Sequence, residues 1–309
     1  MDGPDTLHTF SAPFDRHEPA QVSLPLLISA PHSGMLLPPE AAAGLALSPE
    51  ELRELDDGPV HRLFAAAVAD GATMLVARLR RVFVDLNRDP LEIDPALVPD
   101  LAPSLRPRLS LRVRAGLGVV PSRLGTRPLW RRPLGSAEVA RRLHTVYYPY
   151  HRELARILDS LRARFGVAVL LDVHSMPTSA AADLGPVVDV AIGDRFGQSA
   201  APTLVEAALA RLRDSGLVCE RNRPFAGGHI TETYGRPAAG IHALQIEIRR
   251  GLFLDERSHE PHAGGERLAA VMHAVSRAVA EAALRLRPAT AAPEVALSSP
   301  ADGRRIAAD

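Results

Sequence analysis

Two apolar runs in this chain each end in a His-Ser pair. Pro25-Leu-Leu-Ile-Ser-Ala-Pro31 delivers His32-Ser33-Gly34, and Val167-Ala-Val-Leu-Leu-Asp-Val173 delivers His174-Ser175. Neutral imidazole is the commonest metal ligand among side chains. Two histidines arriving at the ends of two strands therefore have the means to share one ion, although either alone is as well explained as a hydrogen-bonded structural residue. A catalytic zinc takes three protein ligands and leaves a fourth position for water. A glutamate three residues after the first histidine would complete the familiar HxxE pair, but Met35 stands there. The next acids are Asp56 and Asp57, ahead of Gly58-Pro59. Aspartate before a helix is a good N-cap, worth about 1 kcal/mol. Two in a row are one more than capping needs, which makes Asp57 the candidate third ligand.

Three further segments carry polar residues at the ends of apolar runs. Val82-Phe-Val-Asp85-Leu-Asn87-Arg88 offers a guanidinium, whose planar fork grips a carboxylate through two parallel hydrogen bonds, with Asn87 as a neutral donor beside it. The alternative for Arg88 is a salt bridge to Asp85 or Asp89. Asn222-Arg-Pro-Phe-Ala-Gly227-Gly228-His229 sets two glycines before a histidine, which permits close backbone approach to a ligand or simply a turn. In Leu244-Gln245-Ile-Glu247-Ile-Arg249 the polar side chains alternate, so Gln245, Glu247 and Arg249 share one face of a strand. On a surface strand that face is merely solvated. On a central strand a buried Glu247 needs a reason, and a general base beside an activated water is one.

These residues need a frame to hold them. Strand-like runs fall at 24–30, 73–79, 82–86, 167–173, 187–192 and 241–248, and helical patterns at 59–70, from 136 to 161, 200–214 and 265–286. Pro149 lies inside the longest helical pattern and is expected to kink or divide it. Strands alternating with helices predict an α/β fold, a mixed and mostly parallel sheet with helices on both faces. In such sheets ligands collect beyond the carboxyl ends of the strands. The Arg/Gly/Pro-rich stretch 106–133 breaks the rhythm and reads as a functional or disordered loop. A single catalytic domain over 1–286 is the simplest division, with an Ala/Pro/Ser-rich tail over 287–309 expected to be disordered.

Composition narrows the function further. Lys and Arg together number 36 against 36 acids, so no net field favours nucleic acid or an anionic membrane. Every one of those cations is arginine, which excludes Schiff-base chemistry on a lysine. The single cysteine, Cys219, excludes an internal disulfide and a cysteine-based zinc site. With no signal-peptide pattern and no membrane-length apolar run, the expected compartment is the cytoplasm.

Six pieces, in order from about residue 25 to 255, resemble the N-formylglutamate amidohydrolase family. They are Ser29-Ala-Pro-His-Ser-Gly34, Asp57 with Val60 to Phe64, Asp85-Leu-Asn-Arg88, Asp172-Val-His-Ser175, Asn222 to His229, and Gln245-Ile-Glu-Ile248. Arg114-Ala-Gly-Leu-Gly118 is similar to a loop of some branches, which makes Arg114 a further substrate-binding candidate. The resemblance implies a phosphorylase/hydrolase-like fold as in zinc carboxypeptidases and aspartoacylases. It also implies hydrolysis of an N-acyl bond, in the type case N-formyl-L-glutamate to formate and glutamate in histidine degradation. The expected assignment is zinc or another divalent metal on His32, Asp57 and His174, with Glu247 as base and His229 stabilising the oxyanion. A small N-acyl amino acid is then the expected partner, with no nucleic acid or membrane, held by Asn87 and Arg88 with Gly227 and Gly228 allowing close approach. Arg249 and Gly58 depart from the pattern. The rival readings are the same chemistry on another N-acyl amino acid or peptide-like amide, a non-catalytic small-acid binding protein, and a serine hydrolase. The last is disfavoured because adjacent strand residues point to opposite faces, so neither His-Ser pair can easily hydrogen-bond internally.

Overall fold

The computed structural model describes residues 12–182 and 187–286. Seven strands form one sheet: β1 (Phe14–His17), β2 (Leu26–Ala30), β3 (Thr73–Ala77), β6 (Ala168–Met176), β7 (Val190–Gly193), β8 (Cys219–Arg221) and β9 (Ile241–Arg249). β4 (Arg123–Leu124) and β5 (Arg127–Pro128) make a separate small hairpin. The sheet order is β1-β3-β2-β6-β9-β7-β8. The four central strands β3, β2, β6 and β9 run parallel, β1 and β7 pair antiparallel to their inner neighbours, and β8 runs parallel to β7. The expected mixed, mostly parallel sheet is therefore present. The expected tail at 287–309 lies outside the described residues.

Every residue of β2 and β6 is buried, as a strand covered on both faces must be. The alternation of side chains splits the interior in two. Val169, Leu171 and Val173 of β6 face a core shared with the helices Pro202–Asp214 and Gly264–Leu284. Ala168 and Leu170 face the opposite core, built on the helix Tyr148–Phe165 and the irregular chain between β3 and that helix. On this second face the strands change character partway along. Ala168 and Leu170 give way to Asp172 and His174, Ile241 and Ala243 to Gln245 and Glu247, and Leu27 to Ser29, all still buried. Parallel strands align these switches at their carboxyl ends, with Asp172 paired to Gln245 and His174 to Glu247 across β6 and β9. The polar face is an interior one.

The run 82–86 corrects the sequence reading. It is fully buried but turned, not a strand: Phe83 N–H closes on Arg80 O at 2.9 Å and Asp85 N–H reaches Val119 O at 2.7 Å. A short continuous apolar run signals burial without specifying strand. The 106–133 segment also carries more structure than a loop, with a helix at Leu111–Arg114 and the β4–β5 hairpin. Trp130 Nε1 donates to Pro121 O at 2.8 Å within it.

Pro149 acts as expected, through a specific device. The helix Ser136–Arg142 passes into a π-turn at Leu143–Tyr147 before Tyr148–Phe165 resumes. A wide turn of this kind accommodates the interruption and rotates the next residues. Tyr147 thereby donates to Arg88 O at 2.7 Å, and His151 Nε2 lies 2.9 Å from Leu86 O. The other His151 nitrogen lies 2.9 Å from the Tyr234 hydroxyl. Burial, and the neighbouring His229 after it, push the His151 imidazole down to about 3, so it is neutral and its Nε2–H donates to Leu86 O. His151→Phe leaves Leu86 O and the Tyr234 hydroxyl without this partner, and a loss of about 2 kcal/mol or more in urea unfolding at pH 7 is expected. Between pH 6.5 and about 3 the unfolded wild type takes up a proton on His151 that the native state refuses. The advantage of wild type over His151→Phe must therefore shrink as pH falls through that window, and a pH-independent difference would contradict the neutral assignment.

Candidate active site

His32 sits just beyond the end of β2, and its carbonyl accepts the Asp57 N–H at 3.1 Å. Asp57 follows the 3-10 turn Glu51–Glu54, and its own carbonyl accepts from Ser175 Oγ at 2.9 Å. Gly58, with φ of +62°, turns the chain out of the site into the 3-10 helix Val60–Phe64. Asp56 does not cap that helix. Its Oδ2 takes both Nε and Nη2 of Arg80, at 2.9 and 2.6 Å. The twin aspartates thus divide their work, one to an internal ion pair and one to the site.

The side chains of His32, Asp57 and His174 converge, all buried, with ligand atoms within 4.8 Å of one another. His174 Nδ1 lies 2.8 Å and His32 Nδ1 3.4 Å from the same oxygen, Asp57 Oδ2. The far nitrogen of each ring faces a carboxylate: His32 Nε2 to Asp85 Oδ1 at 2.8 Å, and His174 Nε2 to Asp172 Oδ2 at 2.9 Å. Neither Asp85 nor Asp172 was singled out as a ring partner from sequence. The signal was that each lies within the same polar run as a candidate site residue. A carboxylate on Nε2 holds a proton there, so that in the neutral ring the Nδ1 lone pair is free to take a cation. Two bare nitrogens and a carboxylate oxygen aimed at one another repel unless a cation or proton lies among them. His32 Nδ1 is buried without a hydrogen-bond partner. Tetrahedral zinc with bonds of about 2.1 Å spaces its ligands by about 3.4 Å, so these residues fit a divalent cation.

The electrostatics follow from the same contacts. Burial alone would raise Asp57, but the His174 hydrogen bond and the neighbouring His32 ring drive it well below the usual carboxylate range. Burial would likewise raise Asp85, and Arg81, Arg88 and His32 overcome it. For His174 burial favours the neutral ring, while Asp172 and Asp57 pull the other way and raise it far above an ordinary histidine. Glu247 is shifted the opposite way from Asp57 and Asp85. Burial pushes it up to about 7, with His174 opposing. One of its oxygens accepts from Gln245 Nε2 at 2.8 Å.

Asn87 links these parts. Its Nδ2 donates to Asp172 Oδ2 at 3.1 Å, and its Oδ1 accepts the Ile230 N–H at 2.8 Å. It borders the cavity with both polar ends already engaged by protein. Arg88 donates from Nε to Leu117 O at 2.9 Å and from Nη1 to Asn87 O at 2.8 Å, and it stands 3.7 Å from Asp85. Burial lowers it to about 10, which leaves it cationic at neutral pH.

One cavity of about 330 Å³ brings together His32, Asp57, Asn87, Arg88, His174, Gly228 and Glu247, with Arg81, Arg112 and Arg250 on its wall. Three expected site residues lie elsewhere. His229 turns away from the cavity, its ring 5.8 Å from that of His151 and its Nε2 3.3 Å from Thr233 Oγ1. Arg114 is exposed on the Leu111–Arg114 helix, where Arg112 reaches the cavity wall instead. Gly227, with φ of +128°, shapes the turn without lining the cavity. Ser175 bonds Asp57 and Arg250 rather than His174, so no Ser-His pair forms there.

Gly228 is the glycine the site depends on. A Cβ there would stand 2.5 Å from both Asn87 side-chain polar atoms, and the Gly228 N–H donates to Gln245 Oε1 at 2.6 Å.

A buried His-Asp-His set at the carboxyl edge of a mostly parallel sheet, backed by two carboxylates and open to a cavity that Glu247 also lines, defines a candidate metallohydrolase centre. The family model for N-formylglutamate amidohydrolase matches residues 24–254, and the chain belongs to that family. It is 36% identical over 270 residues to the N-formylglutamate deformylase of Pseudomonas aeruginosa, covering 84% of this chain and 93% of that protein. The deformylase of Pseudomonas putida is 34% identical over 271 residues, covering 85% and 94%. A crystal structure of N-formylglutamate amidohydrolase from Ralstonia eutropha JMP134 superposes with a TM-score of 0.82 at 35% identity, covering 87% of this chain and 98% of that one.

Gly228→Ala is expected to displace Asn87 and, through Asp172, the His174 ring. Zinc affinity in a competitive chelator titration should drop about tenfold to a hundredfold, and an unchanged affinity would sever the proposed link from glycine to histidine.

Proposed function

We propose that this chain is a zinc-dependent amidohydrolase that cleaves N-formyl-L-glutamate to formate and glutamate. Family membership and the names of the Pseudomonas relatives support the substrate. The observation that carries the metal is the convergence of His32 Nδ1, His174 Nδ1 and Asp57 Oδ2 with both Nε2 atoms facing carboxylates.

His32, Asp57 and His174 would hold a divalent cation, which would lower the pKa of a bound water to about 7 and polarise the formyl oxygen. Glu247, buried and poised at about 7, accepts the proton of the attacking water. As the C–N bond breaks, the same carboxyl returns that proton to the leaving amine, so no proton is gained or lost. Arg81 lines the cavity while its Nε is held at 2.7 Å by Asp85. Its positive charge faces the oxyanion, the role expected of His229, whose ring lies outside the cavity lining. Arg88 grips a substrate carboxylate and so orients the scissile amide.

The deciding experiment pairs elemental analysis of the purified protein with formate release from N-formyl-L-glutamate, before and after chelation. About one zinc per chain and chelator-sensitive formate release are expected. Metal-loaded protein that releases no formate would overturn the substrate, and chelator-resistant release would overturn the metal. Glu247→Gln should retain zinc and lose about 10²- to 10⁴-fold in kcat. A near-wild-type rate would remove Glu247 from the role of base.

A further inference from the structure

Four arginines are buried among the described residues: Arg80, Arg88, Arg142 and Arg250. Three of them have an acid within ion-pair distance. Arg80 meets Asp56 at 2.6 Å, Arg88 meets Asp85 at 3.7 Å, and Arg142 meets Glu138. Arg250 is 4% exposed, and no acid among the described residues comes within ion-pair distance of it. Its single hydrogen bond runs from Nε to Ser175 Oγ at 3.2 Å, which leaves both terminal nitrogens free of protein acceptors. The acids nearby in sequence are committed elsewhere. Asp189 takes Nε and Nη2 of Arg249 at 3.1 and 2.7 Å. Glu256 takes Thr178 N–H, Thr178 Oγ1 and Gly251 N–H through one oxygen. A guanidinium withdrawn from water without a counter-charge is costly unless an anion arrives to meet it.

Arg250 faces the same cavity as His32, Asp57, His174 and Glu247. It begins the 3-10 turn that follows β9, on the side where Ser175 and the Asp57 carbonyl lie. Arg88 reaches the cavity from a different loop, held by Leu117 O and Asn87 O. Of the four arginines lining the cavity, Arg81 is held by Asp85 and Arg112 is exposed, which leaves Arg88 and Arg250, from separate segments, as the buried guanidiniums beside the reacting groups. We infer that Arg250 binds a second substrate carboxylate, the one Arg88 does not hold, and that this pair selects N-acyl derivatives of dicarboxylic amino acids. The inference rests on the amidohydrolase reading for the identity of the reacting amide, but not for the existence of the dicarboxylate site. Ser175, by holding Nε, aims the paired terminal nitrogens so that a carboxylate meets them side by side.

The test separates binding from turnover. The zinc-loaded wild type, Arg250→Met and Arg250→Lys are titrated calorimetrically with glutarate and with butyrate, a dicarboxylate and a monocarboxylate that lack the amide. Wild type should bind glutarate the tighter, and Arg250→Met should weaken glutarate about tenfold to a hundredfold while leaving butyrate nearly unchanged. Arg250→Lys should restore part of the glutarate affinity, since it keeps the charge and loses the fork. Equal affinity of wild type and Arg250→Met for glutarate overturns the inference, as does an equal loss for both ligands or no glutarate binding by wild type. The kinetic arm compares kcat/KM on N-formyl-L-glutamate, its γ-amide and its α-amide. The preference of wild type for the dicarboxylate over one of the two amides should collapse in Arg250→Met. If no substrate is turned over but glutarate binding depends on Arg250, the inference stands and the deformylase reading falls.

Discussion

A carboxylate faces the Nε2 of each candidate ligand histidine, Asp85 for His32 and Asp172 for His174, and this decides which ring nitrogen is left bare. The arrangement has a double effect. It orients the rings, and it makes their Nδ1 atoms acceptors aimed at a third acceptor on Asp57. Without the backing carboxylates each proton could move to Nδ1, and the cluster would satisfy itself by ordinary hydrogen bonds to Asp57. Two buried anions deep in the sheet edge are expensive. They are tolerated because each is fully used: Asp85 by His32, Asn87 N–H and Arg81, Asp172 by His174, Ser29 and Asn87.

The surrounding fold serves these two carboxylates. Asn87 stands against Asp172 only because Gly228 carries no side chain, and the Gly228–Ile230 backbone clasps Asn87 in return. The loop bearing Asp85, Asn87 and Arg88 has no sheet ladder of its own. It is pinned instead by Tyr147 and His151, which the π-turn before Tyr148 brings to bear on Arg88 O and Leu86 O. A helix irregularity on the far side of the loop thus sets the position of a candidate ligand histidine through successive hydrogen-bonded layers.

Much of this was legible in the residues. The two His-Ser endings, the spare aspartate at 57 and the alternation that places Gln245 beside Glu247 on one face all lead to the cavity, because strand period and strand-end location follow from local pattern. Two kinds of information were not local. The run 82–86 is as apolar as a strand but is turned, since burial and not pairing explains its composition. The directions of side chains on irregular segments were equally hidden. His229 and Arg114 sit one or two residues from groups that do reach the cavity, Gly228 and Arg112, and nothing in their types distinguishes inward from outward. Asn87 lines the cavity, but its bonds to Asp172 and Ile230 depend on segments more than eighty residues away.

The parallel order of the central strands has a kinetic consequence. β2 pairs directly with β6, joining Ser29 to Asp172, and β6 pairs with β9 across a further crossover. Such pairings have high contact order and close only after the intervening chain has collapsed. His32, Asp57 and His174 lie on segments far apart in sequence, so the set is complete only once these segments are packed together. A cation held by this set would be captured by the finished fold, whereas small zinc domains fold around their ion.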